Sequence, residues 1–151
     1  MQGDRIFTEK DVETFGNLIN DHNLLHSSLN WEEALSQNPS LGANKDAGLI
    51  RLKEDGITTK PIVHGMLVSS LFSSIFGTLV PGCVYMNQSL DFRAAVHVDD
   101  ALIGRLEIEK IRRWRRGGVV VECDTQVLCQ GNQVLKGTAN VWLPSGYKTE
   151  S

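Results

Sequence analysis

Apolar and polar residues change their period along the chain, from helical spacing in the first half to alternation in the second. Arg5, Ile6 and Phe7 read as a short strand or an extended lead-in. Val12, Phe15, Leu18 and Ile19 recur on one helical face, so residues 9–20 form an amphipathic helix. Thr8 followed by Asp11 starts it, with a hydroxyl at the N-cap and a carboxylate three residues on. Asn20 and Asp21 end the helix, a polar loop runs through Ser28, and Trp31 to Ser36 reads as a short helix. Residues 37–56, punctuated by Asn38-Pro39-Ser40, Gly42, Asn44 and Gly56, have weak periodicity and read as a long surface excursion.

Pro61 opens the most apolar segment. Proline suits the first turn of a helix, and Ile62, Met66, Leu67, Leu71, Ile75 and Phe76 would bury that helix nearly all round. Its small residues (Gly65, Ser69, Ser70, Ser73, Ser74 and Gly77) admit a close neighbour, and Pro81-Gly82 is the stop. Beyond it the period is two. Val84, Met86, Leu90 and Phe92 alternate with Gln88 on the same face, and Ala101 to Trp114 is a second run. Gly117-Gly118 turns the chain into Val119, Val121, Cys123, Thr125, Val127 and Cys129, and Gly131-Asn132 turns it into Val134 to Leu143. One buried helix followed by four antiparallel strands is an α+β layout, a curved sheet wrapped around the helix.

Composition narrows the class. The 151 residues suit a single domain, with 41% hydrophobic and 22% charged residues. A net charge of −3 argues against a general nucleic-acid binder. Three cysteines (Cys83, Cys123 and Cys129) without a C-x-x-C pair argue against a disulfide framework or a zinc site. The Ile62 to Val80 stretch is broken by His64, Gly65, serines and Gly77, so it reads as a buried helix and not as a membrane span.

The candidate chemistry lies in Asp21-His22-Asn23-Leu24-Leu25-His26. An acid and an imidazole five residues apart on a loop can converge on one water, one handling the proton on oxygen and the other the proton on carbon, as hydration of a conjugated thioester requires. Asn23 between them offers both a donor and an acceptor for fixing the loop. The same spacing also fits a helix-ending aspartate and a surface histidine. A second fragment, Lys60-Pro61-Ile62-Val63-His64-Gly65-Met66-Leu67, distinguishes the two readings when taken with the upstream loop and the downstream sheet.

With these motifs in this order, the chain resembles the MaoC-like (R)-specific enoyl-thioester hydratases, and most closely their mitochondrial 3-hydroxyacyl-thioester dehydratase branch. The likeness runs from Phe7-Thr8-x-x-Asp11-Val12 through Pro61-Ile62-x-His64-Gly65 to the last strands, and Pro81-Gly82-Cys83-Val84 leading to Gln88-x-x-x-Phe92 matches that branch. The resemblance implies a single hotdog domain over 1–151, a homodimer, and water addition or removal at C2–C3 of an acyl thioester carried on coenzyme A or acyl-carrier protein. It implies Asp21 and His26 as the acid/base pair, Asn23 as their support, the Gly65 amide as donor to the thioester oxygen, and His64 as a packing and positioning residue. It implies no metal or redox cofactor, and a place in the mitochondrial matrix. Strand Cys83–Arg93 is the candidate dimer edge.

The chain departs from the family pattern at Leu24, where most members have proline, and in a longer segment between His26 and His64. The extra residues are expected at about 37–56, near the usual mouth of the acyl tunnel. Lys110, Arg112, Arg113, Arg115 and Arg116 cluster around Trp114 beside a turn. They read as a solvated hairpin end, or as a dock for coenzyme A phosphates or an acidic carrier protein. Gln88 reads as a satisfied core amide, and the serines of the apolar segment as close-packing residues. A hotdog thioesterase is the alternative enzyme, but 62–80 holds no carboxylate of the kind such enzymes commonly use on the central helix. A non-catalytic acyl-thioester binding module would need neither Asp21 nor His26.

Overall fold

The computed structural model describes residues 1–21, 23–27, 36 and 60–147. The expected excursion at 37–56, and the short helix at Trp31 to Ser36 apart from Ser36 itself, lie outside the described residues. The chain divides into two compact units, one of Met1–Ile6, Gly65–Val96 and Asp100–Ser151, the other of Phe7–His64 and His97–Asp99.

The first unit is an antiparallel sheet with a helix against it. Strands β1 (Gln2–Ile6), β2 (Val84–Gln88), β3 (Asp91–Phe92), β4 (Ala101–Arg113), β5 (Val119–Cys129) and β6 (Asn132–Leu143) lie in the order β1-β4-β5-β6-β2, with β3 also on β6. The long strands follow the expected runs closely, because tight turns with positive φ separate them. Gly117 and Gly118 have φ of 91° and 79°, and the Gln130-Gly131 corner has 50° and 82°. Along β5 the inward side chains Val121, Cys123, Thr125 and Val127 are buried, in the predicted alternation.

The helix of this unit, here α2, spans Gly65–Leu79 and so begins four residues after Pro61. Pro61 does not open it: the backbone of Pro61 and Ile62 is engaged sideways, with Val98 N–H donating to the Pro61 carbonyl and Ile62 N–H to the Leu25 carbonyl. Nor is α2 buried all round. Val68, Leu71, Phe72, Ile75 and Phe76 are buried, whereas Met66, Ser70, Ser73, Ser74 and Gly77 are exposed. A helix lying on one face of a sheet buries only the stripe that meets the strands. The close approach comes from the sheet side: a Cβ at Gly104 would lie 2.9 Å from Ile75 Cδ1 and 3.1 Å from Leu71 Cδ2, and one at Gly3 would lie 2.9 Å from Ile75 Cγ1. Of the helix serines, Ser69 and Ser70 turn their hydroxyls back to the Met66 and Leu67 carbonyls, at 2.8 and 2.6 Å.

The 84–93 run is two strands, and its inward face is not the predicted one. A bulge between Tyr85 and Asn87 shifts the register against β6, so Tyr85 and Gln88 turn inward while Val84, Met86 and Phe92 are exposed. Gln88 is the satisfied amide expected of it, accepting from Tyr85 Oη (2.5 Å) and donating to the Ser89 carbonyl (2.6 Å) and Thr125 Oγ1 (2.9 Å). Among the described residues no helix is long and apolar enough to cross a membrane.

The second unit contains α1 (Glu9–Ile19) and, after it, a 3-10 turn at Leu24–His26. The capping box is complete: Thr8 Oγ1 accepts from Asp11 N–H at 3.2 Å, and Asp11 Oδ2 accepts from Thr8 N–H at 2.9 Å. The buried face of α1 is Val12 and Gly16, with Phe15 partly covered; Leu18 and Ile19, expected on that face, are exposed at 80% and 48%.

Candidate active site: one carboxylate and two imidazoles

Asn20, in the left-handed conformation at φ 57°, caps the end of α1, and Asp21 N–H bonds back to the Gly16 carbonyl at 2.9 Å. This reversal holds the Asp21 backbone fast. Asp21 Oδ1 then accepts from Asn23 N–H (3.0 Å), and Asn23 Oδ1 accepts from Leu25 N–H (3.1 Å). Two successive side-chain caps build the 3-10 turn that carries His26. Leu24, where most of the family has proline, lies inside this turn, whose conformation the Asn23 cap holds.

Segment 60–64 runs alongside. Ile62 N–H donates to the Leu25 carbonyl (2.8 Å), Ile62 bridges His97 in antiparallel fashion, and His26 Nδ1 lies 2.6 Å from the Ile62 carbonyl. A carbonyl can only accept, so Nδ1 carries the hydrogen and neutral His26 has its lone pair on Nε2. That lone pair is directed to Asp21: Nε2 and Asp21 Oδ2 are 3.8 Å apart, with His26 and Asp21 side chains 16% and 36% exposed. Two hydrogen-bond acceptors at this spacing, reached by solvent, are suited to a water or hydroxyl donating to both.

His64 joins them. Its ring stacks on His26 with centroids 3.6 Å apart and planes 22° from parallel, and its Nε2 lies 3.7 Å from the same Asp21 oxygen. Phe15 meets it edge-on at 5.2 Å. The His64 side chain is 4% exposed. Gly16, which the sequence motifs do not include, borders the site. A Cβ there would lie 3.0 Å from the Asp21 carbonyl and 3.5 Å from the His64 ring, so the position is kept small by the site. The signal available was a glycine inside an amphipathic helix, where it costs about 1 kcal/mol against alanine and needs a reason.

One ligand atom each from Asp21, His26 and His64 fall within 4.8 Å of one another. A tetrahedral zinc at about 2.1 Å from each would set them about 3.4 Å apart. The 3.7 and 3.8 Å separations from Asp21 are wider, and match a water better than a cation.

Burial, and after it the neighbouring His26, hold the His64 imidazole below its ordinary titration range, while Asp21 pulls the other way. An unperturbed imidazole titrates near 6.5. Below that pH the unfolded chain binds a proton that folded His64 still refuses. The stability contribution is therefore present above the unfolded value and is lost as pH falls through it toward the folded one. Tm is expected to fall on acidification from neutral pH, and to fall less in His64→Phe, which has no proton to take. Equal falls in the two proteins would remove His64 as a source of acid sensitivity.

The other predicted residues stand elsewhere. Gly65 is the first residue of α2, in the first unit, and the Phe92 ring lies 2.7 Å from where its Cβ would be. Arg112, predicted as part of a dock, is engaged along the sheet with Glu122 Oε2 (3.1 Å) and Asn140 Oδ1 (3.3 Å). Arg115 and Arg116 are exposed in the turn before Gly117-Gly118, and Arg113 lines an open cleft of about 510 Å³ with Trp114, Pro144 and Tyr147.

No family model matches the chain. Among curated proteins it is 29% identical over 143 residues to a mitochondrial 3-hydroxyacyl-[acyl-carrier-protein] dehydratase of Arabidopsis thaliana, covering 93% of this chain and 73% of the relative. It is 36% identical over 88 residues to an (R)-specific enoyl-CoA hydratase of Aeromonas caviae, covering 56% of this chain and 63% of that one. The solved structure of the A. caviae (R)-hydratase matches with a TM-score of 0.70 at 28% identity, covering 95% of this chain and 93% of the other. The fold is thus the hotdog fold of the hydratases. The chain is thus similar in sequence to (R)-specific enoyl-CoA hydratases and 3-hydroxyacyl-[acyl-carrier-protein] dehydratases, and in fold to the A. caviae (R)-hydratase.

Proposed function

We propose that this chain is a hydro-lyase that interconverts trans-2-enoyl and (3R)-3-hydroxyacyl thioesters. The observation that carries the proposal is the convergence of Asp21 Oδ2 and His26 Nε2, two acceptors 3.8 Å apart, with His26 locked in the tautomer that leaves its lone pair inward. Water donating to both has a lone pair left for C3 of the enoyl thioester. As the C3–O bond forms, the pair takes one proton from the water, and the C2=C3 electrons move toward the thioester oxygen. The pair then returns a proton to C2 on the same face, which gives syn addition and leaves it as it began. The amide of Gly65, at the helix N-terminus, is the donor proposed for the thioester oxygen. Asn23 is the proposed support of the loop, through its bond to Leu25 N–H.

The relatives support the finer reading. The plant relative is a mitochondrial dehydratase of acyl-carrier-protein substrates, and we assign this chain the same step in mitochondrial fatty-acid synthesis, in the matrix, with coenzyme A or acyl-carrier protein as the carrier. Arg113, Arg115 and Arg116 are the proposed carrier contacts; Arg112, already paired with Glu122, is the weakest of the four predicted. A homodimer would join along the edge at Cys83–Arg93, where among the described residues β2 pairs with β6 alone. No metal or redox cofactor enters this chemistry.

The test is purified protein with crotonyl-CoA and with longer and carrier-bound enoyl thioesters. Loss of the enoyl absorbance with an (R)-3-hydroxy product is the expected result. Release of free thiol would instead indicate a thioesterase. Binding without either change would indicate an acyl-thioester binding module.

A further inference from the structure

We infer that His64 is a third catalytic residue, holding the reacting water and the departing hydroxyl by a hydrogen bond from Nε2; the inference rests on the hydro-lyase reading above. The resemblance makes His64 a packing and positioning residue, and a packing role alone leaves its surroundings unexplained. The side chain is 96% buried, yet among the described residues neither ring nitrogen has a hydrogen-bond partner. Buried polar atoms are ordinarily satisfied, and leaving one unpaired costs about 1–3 kcal/mol. A residue kept only for shape would be better served by phenylalanine, which would keep the stack on His26 and the edge contact with Phe15 at no such cost.

The position of Nε2 supplies the reason. It lies 3.7 Å from Asp21 Oδ2, and His26 Nε2 lies 3.8 Å from that same oxygen. One ligand atom from each of Asp21, His26 and His64 falls within 4.8 Å of the others. A water about 2.8 Å from each sits just above the plane of the three, an ordinary hydrogen-bonding distance.

The bonding roles then follow by counting hydrogens. Water has two to donate. The carboxylate accepts one, and His26 Nε2 accepts the other because its Nδ1 hydrogen is already given to the Ile62 carbonyl. The third group must donate, so His64 carries its hydrogen on Nε2. One water lone pair takes that hydrogen and the other is left for C3. In the dehydration direction the same N–H meets the oxygen as the C3–O bond breaks, while the Asp21–His26 pair takes the proton from C2 and passes one to the departing hydroxyl, which leaves as water. His64 itself neither gains nor loses a proton. The groups that face its ring are Asp21 and His26 from the loop and turn, and uncharged Phe15 and Gly16 from α1.

The test compares His64→Phe and His64→Gln with wild type in crotonyl-CoA hydration. Phenylalanine keeps the ring and removes the donor. Glutamine places an amide N–H near the position of Nε2. The expected result is a kcat lowered about 10²-fold in His64→Phe, with KM within a few-fold of wild type and a Tm no lower. His64→Gln is expected to recover part of the loss. Wild-type kcat in folded His64→Phe overturns the inference and leaves the hydro-lyase reading standing. So does a loss in both variants that tracks a lowered Tm, because it reports packing. Failure of wild type on every enoyl thioester removes the hydro-lyase reading and this inference with it.

Discussion

Asp21→Asn and His26→Gln are each expected to lower kcat for enoyl hydration by about 10²–10⁴-fold, the usual contribution of a positioned acid or base. Both substitutions are chosen to spare the fold. Asparagine keeps an Oδ1 that can still accept from Asn23 N–H, so the turn that carries His26 persists while the charge is lost. His26 gives up one hydrogen bond, to the Ile62 carbonyl, worth about 1 kcal/mol. The two residues act on one water, so their losses should not add: the double variant should fall little below the worse single one. Steady-state kinetics and a thermal melt on the same samples check this. A folded single variant with wild-type turnover would take the chemistry away from this loop.

The largest expected effect on stability comes from a glycine. Gly137→Ala in β6 should destabilise the fold by about 1–3 kcal/mol, the usual cost of overpacking. A Cβ there would lie 1.8 Å from the Ser89 carbonyl oxygen and 3.0 Å from Gln88 Nε2. That contact is backbone, and the Ser89 segment is pinned by its own bonds: Ser89 N–H to the Thr138 carbonyl (2.9 Å) and Thr138 N–H to Ser89 Oγ (2.9 Å). Relief would therefore separate the β2–β3 connection from β6. Gly77→Ala is the control. It is exposed within α2 with nothing within 4 Å of the new methyl, so it should raise stability by about 0.5–1 kcal/mol. Urea denaturation of both variants reads the difference, and the same sign of change in both would refute the steric account.

These two glycines show where sequence reading stops. Gly137 lies in an alternating strand and Gly77 in an apolar helix, and neither setting reveals which tolerates a methyl group. That depends on what another part of the chain brings alongside. The same holds for Gly16, whose smallness is required by Asp21 and His64. Strand 84–93 failed for a related reason. Its alternation predicts one uninterrupted face, whereas a bulge at Tyr85–Asn87 changes which residues turn inward. A bulge is set by pairing with β6, and pairing is not a local property. Pro61 failed too: a proline's fixed φ is compatible with a helix start, but it also suits the extended run whose hydrogen bonds go to Leu25 and Val98.

By itself the sequence determined the local structure of the site and the residues it draws on. Thr8 with Asp11 caps α1, the glycine pairs close the hairpins, and Asp21, Asn23 and His26 form their turn through contacts a few residues long. Such features depend on side chains meeting nearby backbone, which spacing alone specifies. The tertiary structure decided how those residues meet. It set the His26 tautomer through the Ile62 carbonyl, and it brought His64 onto both His26 and the oxygen of Asp21. Those contacts join parts of the chain far apart in sequence, and their geometry comes from packing, which no short-range pattern encodes.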